Sequence, residues 1–174
     1  IGTPAFRNRD AMPDLVKLGF AGLLACQVKH PAGLEAILAD FFGLSARLKE
    51  FIGEWMLIPE DDRTRLGESP RTASLGQSAV LGARVWGCQH KFRIILGPMG
   101  LAQYRDFLPG GRSLDALIAI VRNYVGDELA WDTNLVLRNA ELPILALGGP
   151  SRLGWTTWLG RPRHGSDVDD LCLD

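Results

Sequence analysis

The sequence is short of what several function classes require. Cysteine occurs three times in 174 residues, as Cys26, Cys88 and Cys172. Thiols so few and odd in number build no disulfide framework, and a reducing, cytosolic setting is expected. Charge of one sign is also lacking, since Lys+Arg 19 against Asp+Glu 20 leaves a formal net charge of -1. That supplies neither the basic footprint that a nucleic-acid backbone needs nor a polybasic membrane patch. Long apolar runs are missing too. The longest, around Leu18 to Cys26, is far shorter than a bilayer requires, and the start lacks the basic-then-apolar order of a signal peptide. The chain begins at Ile1 rather than Met, so a processed product or a fragment lacking upstream sequence is expected.

What is there suits a folded chain. Hydrophobic residues make up 47% and charged residues 22%, which excludes disorder and fits one domain or two small repeats sharing a core. The spacing of Leu15, Leu18, Ala21, Gly22 and Ala25 predicts a helix over Asp14 to Val28 with that stripe buried and Asp14 as N-cap. A second helix through Leu34, Ile37, Leu38, Phe41 and Phe42 ends at Gly43 and is expected to form a hairpin with the first. Arg47 to Ile52 reads as a short strand, Glu60 to Arg65 as a helical turn after Pro59, and Arg71 to Gly87 as an ordered but irregular loop. Lys91 to Leu96 is strand-like and Met99 to Phe107 a short helix closed by Pro109-Gly110-Gly111. Ser113 is expected to cap a longer helix with Leu114, Leu117, Ile118, Val121, Tyr124 and Val125 on its apolar face and Gly126 at its end. Alternation from Leu129 to Arg138 predicts a half-buried strand.

Sliding the chain over itself by about 83 residues points to a duplication. Leu34, Ile37, Leu38, Phe41, Phe42 and Gly43 then fall on Leu117, Ile120, Val121, Tyr124, Val125 and Gly126, each set a helix face ending in glycine and followed by a strand. Two pseudo-repeats, at 14–97 and 98–174, are therefore expected. Each half also reaches a Leu-Gly loop with tryptophan, Leu75 to Trp86 in the first and Ser151 to Gly160 in the second.

Catalytic patterns fail at the residues that give them meaning. Gly76-Gln77-Ser78-Ala79-Val80 approaches a nucleophile elbow, but valine stands where close backbone packing demands a second glycine. Cys26, His30, Cys88 and His90 offer zinc-type donors without a standard knuckle spacing; a helical cysteine packs as a small core residue, and a histidine beside proline serves a turn or cap. His164, Asp167, Asp169, Asp170 and Cys172 add donors in what reads as a solvated acidic tail. Pro109-Gly110-Gly111-Arg112-Ser113 could hold an anion at a helix N-terminus, yet a turn and a cap explain it equally, and neither a Walker lysine nor GxGxxG is present. Adjacent Glu60, Asp61 and Asp62 point apart on a helix and complement its dipole rather than pair for catalysis. Catalytic, cofactor and metal sites are accordingly not expected.

The tryptophans lead elsewhere. Trp86, Trp155 and Trp158 lie in or beside the Leu-Gly loops, where large aromatic side chains serve as rigid interface anchors or fold back into the core. Four segments follow in order: LGQSAVLGARVW at Leu75 to Trp86, KFRIILGP at Lys91 to Pro98, FLPGG at Phe107 to Gly111 and LGWTTWLG at Leu153 to Gly160. With Gly19 to Leu44 and FIGEW at Phe51 to Trp55, they resemble the TssG family (ImpH, VasB) of type VI secretion baseplates over nearly all of the chain. Family members are generally longer at the N-terminus, so the chain resembles the C-terminal part of one. The family pattern does not require Cys26 or Cys88, which weakens the zinc reading.

The resemblance implies a non-enzymatic baseplate wedge component of α+β fold, with two related helix-strand units, small antiparallel sheets and long partner-binding loops. It implies TssF-like and TssK-like partners, with the sheath and VgrG spike nearby, in a cytoplasmic baseplate docked to an inner-membrane complex. Neither nucleic acid nor direct membrane insertion is expected. Two loops of the family meet TssK, and the residues expected to form or support them here are Leu75, Gly76, Leu81, Gly82, Trp86, Leu153, Gly154, Trp155, Trp158 and Leu159. A slightly positive mean hydropathy of +0.05 suits surface that is buried only on assembly. The competing classes are a small hydrolase or metal-dependent enzyme and a self-associating structural domain.

Overall fold

The computed structural model describes residues 10–65, 67, 70–145, 151–160 and 165–174. They divide into two compact units, one comprising the stretch up to Lys49 together with Phe92–Asp174, the other Glu50–Lys91.

In the first unit, helices α1 (Asp14–Gly19) and α2 (Ala21–Ala25) replace the single helix expected over Asp14 to Val28. Phe20 leaves helical geometry at φ -100, ψ 15, and Cys26 turns extended. Pro13, not Asp14, occupies the N-cap position, and Asp14 sits in the first turn. The stripe expected to be buried faces outward: Leu15 is 82% exposed, while Val16, Phe20, Leu23 and Leu24 pack on the core. An apolar segment this dense carries two stripes of helical period, and periodicity alone does not choose between them.

Helix α3 (Pro31–Phe42) begins with proline at its first position and with the His30 imidazole accepting the Ala32 N–H at 3.2 Å. Gly43 ends it at φ 63. Rather than forming a hairpin with the preceding helices, α3 packs chiefly on strand β1 (Ala46–Lys49) and on a later helix, α6 (Arg112–Val125). Strand β1 stops short of the expected Ile52 because Phe51 adopts φ 58, which breaks the ladder.

In the second unit, Glu54–Leu57 forms β2, Glu60–Asp62 a single 3-10 turn, Pro70–Ala73 the short helix α4 and Arg84–Gly87 β3. The stretch expected to be one irregular loop thus holds a helical turn and a strand. Strands β2 and β3 pair antiparallel with Trp55 opposite Trp86. Among its described residues, none is fully buried.

Strand β4 (Lys91–Met99) runs three residues beyond the expected Leu96; α5 (Leu101–Asp106) and α6 (Arg112–Val125) follow. Gly111 occupies the N-cap of α6 where Ser113 was expected to, and Gly126 ends the helix as expected. Strand β5 (Ala130–Leu137) then pairs antiparallel with β6 (Val168–Leu173), an ordered strand where a solvated tail was expected.

The sheet order is β1-β4-β5-β6. Strand β1 runs antiparallel to β4. Arg93 bonds Asp132 and the Met99 carbonyl accepts the Arg138 N–H, so β4 and β5 advance together, in parallel. The α+β class holds, and the four-stranded sheet is mixed, with a parallel pair at its centre. Leu34, Ile37 and Leu38 of α3, Leu117, Ile120 and Val121 of α6, and Ile94, Leu96, Leu135 and Leu137 of the sheet form the core. Gly33 is required where it stands, because a Cβ there would lie 2.2 Å from the Tyr124 hydroxyl. That hydroxyl donates to the His30 carbonyl at 2.9 Å and ties α6 to the start of α3.

The half-buried alternation expected of β5 does not hold at its centre. Asp132 and Asn134 are buried as well as Thr133 and Leu135, because groups of the flanking strands β4 and β6 close over them. Arg93 meets both Asp132 oxygens, with Nη2 2.9 Å from Oδ2, and the Asn134 amide donates to the carbonyls of Asp169 at 2.6 Å and Leu171 at 3.2 Å. At the start of the unit, Lys17 lies 2.8 Å from Asp10, and the Asn123 amide donates to Asp10 at 2.9 Å. Among the described residues, no helix is long and apolar enough to cross a membrane.

Two outcomes are expected. Asp132→Asn removes the carboxylate that pairs with the part-exposed Arg93 guanidinium and destabilises the protein by about 2 kcal/mol, read from urea denaturation. Asp10 is subject to an upward push from burial, but bonds from Lys17 and Asn123 outweigh it and hold its carboxyl below the ordinary value. Its stabilisation is therefore present above the unfolded pKa of 3.8 and lost as pH falls through the lowered value. Asp10→Asn flattens that acid limb in pH-dependent thermal melts.

Candidate functional site

Two loops carry the residues expected to meet partners. The first spans residues 74–83 and is wound by its own hydrogen bonds. The Ser74 carbonyl accepts the N–H groups of Gln77 at 3.2 Å, Ser78 at 3.0 Å and Ala79 at 3.1 Å, while the Ser74 N–H donates to the Ser78 hydroxyl at 3.3 Å. Ser78 is thus a loop-closing acceptor, which accounts for the residue considered above as a nucleophile. The Thr64 hydroxyl donates to the Thr72 carbonyl at 2.7 Å and accepts the Val80 N–H at 3.0 Å. Leu75 and Leu81 stand out at 95% and 94% exposure, each followed by a glycine in the left-handed region, Gly76 at φ 76 and Gly82 at φ 95. Such a conformation strains any other residue and lets the chain reverse directly after the leucine.

Trp86 belongs to β3 rather than to the loop. Its ring meets Trp55 edge to face at 5.3 Å and lies against Gly53, where a Cβ would come within 1.9 Å of it. Both indoles remain more than half exposed, and Leu57, two residues along from Trp55, extends the same apolar ribbon face. Sequence reasoning missed Trp55 and Leu57 as surface candidates. The signal, Glu54-Trp55-Met56-Leu57, is an alternation only four residues long.

The second loop spans residues 151–160. The Arg152 carbonyl accepts the N–H groups of Trp155 at 3.1 Å and Thr156 at 2.9 Å, and the Arg152 N–H donates to the Thr156 hydroxyl at 2.7 Å. The tryptophans turn inward. Trp155 and Trp158 pack against the core, the Tyr104 hydroxyl donates to the Trp155 carbonyl at 3.2 Å, and the Tyr104 ring meets Trp158 at 6.0 Å. Burial, with the charge of Asp170, pushes the Tyr104 phenol up and keeps its proton in place for that bond. Leu153 and Leu159 point out, at 91% and 96% exposure, each again followed by a left-handed glycine, Gly154 at φ 80 and Gly160 at φ 90.

His30 caps α3. Cys26, Cys88 and Cys172 are free and exposed, and His164 lies outside the described residues. Among the described residues, no group of three or more His, Cys, Asp or Glu gathers in a way that could hold a metal ion. Gly110 and Gly111 line a cavity of about 330 Å³ with Arg105 and Arg152.

This arrangement of sheet, helices and loops is found in solved baseplate proteins. One is a chain of "the type VI secretion system TssK-TssF-TssG baseplate subcomplex", matching with a TM-score of 0.69 and 20% identity over 96% of this chain and 71% of that chain. Another, from "the baseplate complex from the type VI secretion system", matches with a TM-score of 0.59 and 22% identity over 91% of this chain and 46% of that chain. At such identities the likeness defines the fold. The family follows from sequence: the model described as "Type VI secretion, TssG" matches residues 1–160, and the chain belongs to the TssG family. No curated protein matches it.

The support that Gly53 gives Trp86 is open to test. Gly53→Ala is expected to displace the indole and abolish the exciton signal of the Trp55–Trp86 pair in far-ultraviolet circular dichroism, with the urea midpoint unchanged. A retained signal would contradict the packing described.

Proposed function

We propose that this chain is a non-enzymatic structural subunit of a type VI secretion baseplate wedge, bridging TssF-like and TssK-like proteins. It acts by geometry, as a bracket that fixes the positions of its partners. The observation that carries this reading is the TssG family match over residues 1–160. The exposure of Leu75, Leu81, Leu153 and Leu159 on hydrogen-bonded loops supports partner contact there. Gly76, Gly82, Gly154 and Gly160 shape the loop backbones, while Trp155 and Trp158 brace the second loop on the core. In the assembled machine the chain sits in a cytoplasmic baseplate docked to the inner-membrane complex, near sheath and VgrG spike.

The reading of two related halves also gains support. Leu34, Ile37 and Leu38 of α3 and their counterparts Leu117, Ile120 and Val121 of α6 are all fully buried, and each helix ends at a glycine before a strand.

The test is co-expression with the TssF-like and TssK-like proteins of the same organism, affinity capture, and size-exclusion chromatography with light scattering. A stable complex containing all three is expected. If the chain stays monomeric beside folded, soluble partners, the proposal fails.

A further inference from the structure

The two edges of the four-stranded sheet are finished differently. At β1 the edge is closed from within, because the Glu35 carboxylate of α3 accepts the Leu48 N–H at 2.7 Å and spends that donor inside the unit. At β6 no strand lies beyond Val168–Leu173 among the described residues, so its outer backbone groups are open to a further strand. The surface beside this edge is unfinished as well. Leu171 and Leu173 stand opposite Leu135 and Thr133 and therefore share the sheet face that carries the core. Leu135 is fully buried there, but Leu171, Leu173 and Trp131 are only half covered, and Ile118 of α6 stays 37% exposed. A cavity of about 350 Å³ lies between α6 and this corner of the sheet, lined in part by Leu114, Ile118, Trp131, Thr133 and Leu173.

Charge decides which strand fits. Asp169 and Asp170 together oppose the single residue Val136, in a bulge, and both are exposed. Asp174 follows them, and no basic residue occurs in 168–174. A second copy of β6 laid along the edge would set acids against acids, which is destabilising. Strand β1, Ala-Arg-Leu-Lys, has the complementary alternation of apolar and basic side chains, but Glu35 closes its edge. Neither edge of this sheet in a second copy of the chain therefore matches β6, and the fitting strand belongs to a different protein.

We infer that β6 is a docking edge for an extended segment of another protein, one in which basic and apolar residues alternate. Its backbone adds a fifth strand to the sheet. Its apolar side chains lie beside Leu171 and Leu173 and close the open side of the cavity, while its basic side chains project from the opposite face and answer the acids of β6. Main-chain hydrogen bonds supply the affinity, and the alternation of charge and apolar surface selects the partner. Neither Leu-Gly loop takes part, and nothing in this docking depends on the baseplate reading.

The test uses the full chain and, as probe, a short fluorescent peptide of alternating lysine and valine, with binding followed by anisotropy and the contact mapped by backbone hydrogen exchange. The peptide is expected to bind and, within the sheet, to slow exchange at β6. Methylating the valine nitrogens or the lysine nitrogens is expected to weaken binding about tenfold or more in one case and far less in the other, because only alternate N–H groups of an added strand face its neighbour. A peptide of alternating glutamate and valine is expected to bind about tenfold more weakly, and Asp169→Asn/Asp170→Asn, two exposed positions, to weaken the lysine peptide by about the same factor. Absence of binding, equal tolerance of both methylation patterns, protection away from β6, or indifference to charge would each overturn the inference. A dimer of the chain alone that protects the same β6 amides would overturn it too, by giving the edge to a second copy.

Discussion

Burial of β5 on both faces is the constraint on which the first unit depends. Asp132 and Asn134 are buried on β5, and a buried polar side chain needs a hydrogen-bond partner. Each is answered by a neighbouring strand, Asp132 by the Arg93 guanidinium of β4 and Asn134 by backbone carbonyls of β6. Those interactions make β5 a junction. Its other face carries Leu135 and Leu137 into the core shared with α3 and α6. Register along β5 thus sets where both neighbouring strands and both helices sit.

The helices were largely legible in the sequence because their signals are local. Pro31 opens α3, Gly43 and Gly126 close α3 and α6, and the buried faces fall largely where the period placed them, except that Ile118, expected on the apolar face of α6, is exposed while Ile120 is buried. Signals that depend on a distant neighbour were not legible. The alternation along β5 concealed the burial of Asp132, because the compensating arginine lies in another strand. Strand β6 reads as an acidic tail until β5 is beside it. In α1 and α2 the chain is apolar on more than one side, and only the packed core decides that Val16 and Leu23 turn inward while Leu15 does not.

The candidate loops were found through their composition, and their internal logic came from geometry. Leu-Gly and tryptophan mark both segments in the sequence, but one-dimensional reading cannot separate an aromatic ring that braces a loop from an aliphatic one that leaves it. The structure makes that division. Tyr104, a residue with no sequence signal, holds the second loop through the Trp155 carbonyl and the Trp158 ring. In the first loop, Thr64 performs comparable bracing with one hydroxyl that donates to Thr72 and accepts from Val80.

Strands β1 and β4 are antiparallel neighbours with Lys49 opposite Arg93, so residues 50–91 leave and re-enter the sheet at one point. In topological terms the second unit is a hairpin loop that has grown into a module. Loop-closure entropy rises slowly with the length of such an excursion. The β1–β4 ladder therefore closes a long excursion at little more entropic cost than a short one.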